Sequence, residues 1–160
     1  MEHSARQILV DLVRRHRMAA LGTIREEDPS VSLVPFAADP GGTAIYLLIS
    51  RLANHTKDLL ANPRAALMVA ESDAGAHDPQ GLARLSLRGS VRFLDESDQA
   101  HADARSTYLG RFPTAEMLME LGDFQLVRFE PTAARFIAGF GRIYDLTPKH
   151  LRELIAADGD

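Results

Sequence analysis

The residues best equipped for chemistry stand together between two apolar runs, in Ser50-Arg51-Leu52-Ala53-Asn54-His55-Thr56-Lys57. Ile45 to Ile49 reads as a buried strand, and Leu59 and Leu60 belong to a short helix that Asn62-Pro63 ends. Asn54, at the junction, is expected to cap that helix. A capped helix start leaves backbone N–H groups pointing outward at the positive end of the helix dipole, and His55, Thr56 and Lys57 add side-chain donors. Such a corner can hold an anion, a phosphate above all. The same residue types also make an ordinary polar first turn of a surface helix.

Elsewhere the chemistry is sparse. His3, His16, His55, His77, His101 and His150 show no paired spacing on one helix face and no acidic partner at a zinc-ligand interval, so no structural metal is expected. The absence of cysteine excludes disulfides, thiolate ligands, iron–sulfur clusters and a cysteine nucleophile, and it fits a reducing compartment. No serine lies in a nucleophile elbow and no glycine-rich loop carries a P-loop lysine. Asp58, Asp123 and His55 each have an adequate capping or hydration role, so no general acid or base stands out. Arg84, Arg88 and Arg92 alternate along one run and read as a solvated strand face, with admission of an anionic substrate as the alternative.

The elements that must position these residues follow from periodicity. Ser4 and Gln7 form a capping-box start for a helix whose apolar face, Ile8, Leu9, Leu12 and Val13, runs to about His16. Met18 to Arg25 and Val31 to Ala37 are strand candidates joined by Glu27-Asp28-Pro29, and Asp39-Pro40-Gly41-Gly42 turns the chain into the Ile45 strand. Ala65 to Ala70 is a further strand, and 73–81 is a surface loop. From Arg84 to Phe93 the pattern alternates, with Leu85, Leu87, Val91 and Phe93 facing one way. Ser97 begins a helix reaching Tyr108 that Gly110 stops, and Thr114 to Leu121 forms a short helical piece. Phe124 to Phe129 and Ala134 to Ala138 are strands interrupted by Glu130-Pro131, and Thr147-Pro148 opens a final helix, Lys149 to Ala157.

The 160 residues, 46% of them hydrophobic, suffice for one core and one domain spanning 1–160. A net charge of −4 gives no case for nucleic-acid binding. No apolar stretch approaches the roughly 20 residues that span a bilayer and no signal-peptide core opens the chain, so the expected location is the cytoplasm. The predicted fold class is α+β, an antiparallel β-barrel with flanking helices.

Six fragments in order add to this: Ala20-Leu21-Gly22-Thr23-Ile24, Ser32-Leu33-Val34-Pro35-Phe36, Ser50 to Thr56, Asn62-Pro63-Arg64-Ala65, Gly122-Asp123-Phe124 and Gly139-Phe140-Gly141-Arg142. Together they resemble the FMN-binding split barrel of the pyridoxamine 5′-phosphate oxidase-like superfamily, most closely its haem-utilisation branch. The resemblance covers nearly the whole chain. It implies a homodimer with FMN at the subunit interface, the Ser32, Leu33, Val34 and Pro35 backbone beside the flavin ring, and Ser50, Arg51, Asn54, His55, Thr56 and Lys57 around its phosphate. Phe140 and Arg142 are implied flavin contacts, Phe140 from the partner subunit, with a core phenylalanine and a surface charge as the alternatives.

The better-known oxidases of that superfamily place an Arg-Lys pair about where Asn54-His55 stands, and an arginine about where Ser32 stands. Lys57 and Arg51 could restore the charge. The implied activity is an FMN-dependent oxidoreductase acting on a small molecule, the cofactor carrying the electrons. Haem binding or degradation is the alternative, with His150 as a substitute for an iron ligand that haem-utilisation proteins carry in a further C-terminal region. A dimeric flavin-binding module without redox chemistry is the third reading.

Overall fold

A strand that changes partners midway gives this chain its shape. The computed structural model describes residues 1–75 and 78–156. Residues 76 and 77 of the expected surface loop, with His77, and Ala157 at the expected end of the last helix lie outside them. β1 (Met18–Arg25) and β2 (Asp28–Pro35) form a hairpin, and past Phe36 the same extended chain continues as β3 (Ala37–Ala38), which pairs with β4 (Ile45–Ser50) instead. β5 (Arg64–Ala70), β6 (Arg84–Phe93) and β7 (Phe124–Ile137) complete the antiparallel order β2-β1-β5-β6-β7-β4-β3, with β8 (Ile143–Leu146) on β7. Because β3 continues β2, the sheet closes on itself through Phe36. Over 28–35, however, the edge of β2 turned away from β1 has no strand partner among the described residues. The barrel is therefore split along that seam, and α2 (Asn54–Ala61) packs there against β1 and β2.

Inside the barrel, alternate residues such as Leu21, Leu47, Ile49, Leu67, Leu85, Leu87, Phe129 and Phe136 make one core. Leu9 and Leu12 of α1 (His3–Arg14) and Leu151 and Ile155 of α5 (Pro148–Ala156) close its end. Outside it, Tyr46 and Leu48 meet Ala104, Tyr108 and Phe112 from α3 (Gln99–Arg111) and the segment after it. Covered on both faces, β4 is apolar at five consecutive positions, Ile45 to Ile49. α4 (Glu116–Met119) is the short helical piece expected near there.

Several local expectations are corrected. α1 starts at His3 behind Glu2, so Ser4 lies inside the helix and caps nothing. The first hairpin turns at Glu26-Glu27, with Glu26 in the left-handed region at φ 56°, and Asp28 and Pro29 already belong to β2. α3 runs through Gly110 to Arg111. Glu130-Pro131 does not break the strand: β7 is continuous, and its register on β6 slips at Arg88/Gly89. Proline is tolerated because β4 pairs only up to Phe129 and β8 begins only at Ala134, so Pro131 faces no second ladder. The Asp39 turn and the Thr147 cap form as read, the Asp39 carboxylate accepting from the Ala44 amide at 3.0 Å and Thr147 Oγ1 from the His150 amide at 3.3 Å.

At the bulge, a Cβ on Gly89 would lie 2.1 Å from the Glu130 carbonyl oxygen, a backbone atom that cannot step aside. Gly89→Ala is thus expected to destabilise the chain by about 1–3 kcal/mol. Urea unfolding would show it as a lower midpoint at unchanged slope, and an unchanged midpoint would contradict the close approach.

Candidate functional site

The seam gathers part of the expected constellation. β4 ends at Ser50, whose carbonyl accepts from the Ala53 amide at 3.1 Å and from Thr56 Oγ1 at 2.6 Å. With that carbonyl taken, the helix begins behind Ala53, an extended residue at φ −69°, ψ 145°. Asn54 is therefore the first helical residue and not the cap, and its side chain makes no capping bond. The amides of Thr56 and Lys57 turn back to the Ala53 carbonyl, at 3.2 and 3.4 Å. Only those of Asn54 and His55 remain without an acceptor among the described residues.

α2 is locked down by a carboxylate. Asp58, 4% exposed, accepts from Thr23 Oγ1 at 2.8 Å and from Arg25 Nε at 3.0 Å, both on β1. The bond from Arg25 holds its carboxyl below the usual 3.8; burial opposes this, and Thr23 adds to it. One turn earlier on the helix, His55 Nδ1 lies 3.1 Å from Ser32 Oγ on β2. Burial pushes the imidazole below its ordinary 6.5 against the pull of Asp58, so the ring is neutral at pH 7. Its Nε2 is enclosed and has no hydrogen-bond partner among the described residues. A neutral ring that already meets Ser32 brings no positive charge to a phosphate.

The remaining expected residues separate. Leu33 is 68% exposed on the outer face of β2, while Val34 points into the core and Pro35 is half-buried, so those two offer their backbone. Lys57 is exposed and has no partner among the described residues. The Arg51 amide donates to the Asp123 carbonyl at 2.7 Å, and Ser50 Oγ to the Asp123 carboxylate at 3.2 Å. The Arg51 side chain lines a cavity of about 630 Å³ under α3 and α4, away from the first turn of α2. Phe140 and Arg142 sit at the β7–β8 hairpin, three strands beyond β1 in the sheet order. Phe140 is 87% exposed and so fills no core; Arg142 bonds the Ala138 carbonyl and lies 4.0 Å from Glu2, in its own chain. His150 is exposed on α5, which packs against β8.

Sequence reasoning missed the Asp58–Thr23–Arg25 lock, although an aspartate inside an apolar helix run, Asp58-Leu59-Leu60, was its one trace. It also missed the outer face of β1, β2 and β5. There Val31, Gly22 and Ala66 stand in one cross-strand row, and Leu33, Ala20 and Met68 in the next. Val31 is 74% exposed and Met68 44%, which makes a flat apolar surface beside the seam. Covering Val31 and Leu33 would contribute about 1.5–3 kcal/mol each.

Comparison with known proteins bears on this geometry. Residues 6–138 match the family model described as pyridoxamine 5′-phosphate oxidase. The chloroplastic haem oxygenase HOZ of Arabidopsis thaliana is 43% identical over 111 residues, which are 69% of this chain and 32% of that protein. The haem oxygenase HutZ of Vibrio cholerae is 27% identical over 79% of this chain and 72% of its own length. Among solved structures, a haem-binding protein from Mycobacterium smegmatis superposes with a TM-score of 0.81 at 26% identity, over 98% of this chain and 62% of that one. The chain thus spans about a third of the plant relative. The split barrel of α+β class is the fold these proteins share with it. No helix among the described residues is long and apolar enough to cross a membrane.

Acid should loosen the lock on α2. Asp58 ionises more readily in the folded state, so its contribution is fully present above 3.8 and is lost as pH falls through the depressed folded value. His55 adds a loss of the same sign below 6.5, where the unfolded chain binds the proton that the buried ring resists. Urea midpoints measured across pH should fall on acidification in the parent chain and fall less steeply below pH 4 in Asp58→Asn. Parallel profiles for the two would contradict the assignment.

Proposed function

The chain belongs to the pyridoxamine 5′-phosphate oxidase family, and on that premise we propose that it binds haem, as the substrate of oxidative breakdown, in a cleft that two copies of the chain form along the β2 seam. The observation that carries this reading is the outer surface of β1, β2 and β5, where Val31, Leu33 and Met68 stand exposed in register with Gly22, Ala20 and Ala66. A flat apolar sheet face of this kind suits a planar macrocycle and a second copy together. The names of HOZ and HutZ as haem oxygenases support it, as does the description of the mycobacterial neighbour as a haem-binding protein.

In this arrangement the chain's own residues do three things. Leu33 and Val31 cover the ring and exclude water from it. Asp58, Thr23 and Arg25 hold α2 against β1, so that the wall beside the ring is fixed before a ligand arrives. Asp123 ties the 51–53 turn to Ser50, which sets the other lip of the seam. Haem itself supplies the iron at which dioxygen chemistry takes place. His150, on α5 beside β8, lies apart from the apolar face within one chain and is the candidate iron ligand only if it is supplied by the second copy. The absence of cysteine suits a reducing compartment, the cytoplasm included.

FMN is the second reading, favoured by the free amides of Asn54 and His55 at the positive end of α2, with Lys57 beside them. These would hold the phosphate, and the β2 backbone would face the ring. The donor set is thin for a dianion: His55 is neutral, Arg51 lines a different cavity, and Arg25 is engaged by Asp58. Haem answers the apolar face better than the phosphate answers this corner.

Titration of the purified chain with haem and, separately, with FMN distinguishes the two. The expected result is a saturable Soret band for haem, weakened at least tenfold by Leu33→Asp, with the band lost over time when ascorbate and air are added. His150→Ala should shift the band if that imidazole ligates the iron. Quenching of flavin fluorescence with no uptake of haem would overturn the haem reading in favour of FMN.

A further inference from the structure

On the outer face of the barrel, next to the apolar rows, a groove of about 640 Å³ runs across β2, β1, β5 and β6. That volume falls in the range of roughly 300–1,000 Å³ typical of sites for ligands of drug size. Its floor is made of residues with almost no side chain, Gly22 and Ala66, with Val31 as one bank. Arg64 and Arg88 form the other bank.

The two arginines are placed by register. Ala66 of β5 pairs with Arg88 of β6, and Arg64 pairs with Ser90, so Arg64 and Arg88 are diagonal neighbours on one face, roughly 7–8 Å apart at the backbone. Both side chains are exposed, and neither meets a carboxylate: Arg64 Nε donates to the neutral Asn62 Oδ1 at 3.3 Å, and Arg88 has no side-chain partner among the described residues. Their neighbours differ. Arg135, one row along, is tied to Asp145 at 3.0 Å, and Arg84 is turned to the Leu82 carbonyl at 3.0 Å. Two unneutralised guanidinium groups, side by side at the edge of a flat apolar floor, ask for a planar ligand that carries two carboxylates on one edge.

Resting on the haem reading above, we infer that Arg64 and Arg88 receive the two propionates of the haem whose ring lies across Gly22, Ala66 and Val31. A guanidinium meets a carboxylate through two parallel N–H···O bonds, so the pair fixes which edge of the ring faces β6 as well as adding affinity. The ring's apolar edge then points toward Leu33 and the seam. Orientation of the macrocycle in the cleft is set by β5 and β6, and the arginines act as binding residues without touching the reacting atoms.

The test uses haem and its dimethyl ester, which keeps the ring and lacks the charges. Wild type, Arg64→Ala, Arg88→Ala and the double variant are titrated with each, and the mass of the assembly is measured alongside. The double variant should bind haem at least tenfold more weakly than wild type, bind the diester as wild type does, and keep its thermal midpoint and assembly mass. Added salt should weaken haem binding to wild type more than to the double variant. Equal haem affinity in wild type and double variant overturns the inference while leaving the haem reading intact. So does equal loss of haem and diester, or a change in assembly mass, which would make the arginines contacts of the partner copy. Wild type that takes up neither compound removes the haem reading itself, and the inference with it.

Discussion

The incomplete closure of the barrel is the constraint on which the rest of this molecule depends. A single extended segment, 28–38, pairs with β1 over 28–35 and with β4 over 37–38, and over 28–35 its second edge meets no strand among the described residues. The gap left beside β2 has to be filled, because unpaired strand backbone is an open edge. α2 fills it. The Asp58 carboxylate bonded to Thr23 and Arg25, and the Thr56 hydroxyl bonded to the Ser50 carbonyl, fix the helix to β1 and to the end of β4. The free amides of Asn54 and His55, and the His55 ring against Ser32, owe their positions to those contacts.

How much of this was legible in the sequence depended on whether the deciding interaction was local. Strict alternation gave β6, with Leu85, Leu87 and Val91 inward and Ser86, Arg88 and Arg92 outward. Amphipathic spacing gave α1, and the Asp39 turn and the Thr147 cap that opens α5 were right because each is closed by bonds within five residues. Asn54 had the chemistry of a cap, but whether it capped was decided by what else claimed the Ser50 carbonyl. Glu130-Pro131 looked like a break because proline forfeits a ladder bond; the partner lists of β4 and β8, which leave that stretch unpaired on one side, are invisible in a linear reading. The candidate site was legible as a segment and not as a geometry. Ser32 meeting His55 needs the seam, and Arg51 turning to the α3–α4 side needs the tie to Asp123.

The choice between ligands turns on the balance of polar and apolar surface. A flavin phosphate requires concentrated positive charge, and the split barrel here presents two amides and one lysine at that corner while burying the imidazole beside them in its neutral form. The adjoining sheet face presents instead a wide apolar floor bordered by arginines that no carboxylate neutralises. In the proposed reading, a macrocycle and a second copy of the chain would cover it together.

Native mass spectrometry of the protein loaded with haem addresses this account most directly, because it reads stoichiometry and assembly at once. The account predicts a dimer that carries two haems and retains them under conditions where loosely adsorbed haem is shed. A monomer holding one haem as firmly, or a dimer that retains flavin and releases haem, would contradict it.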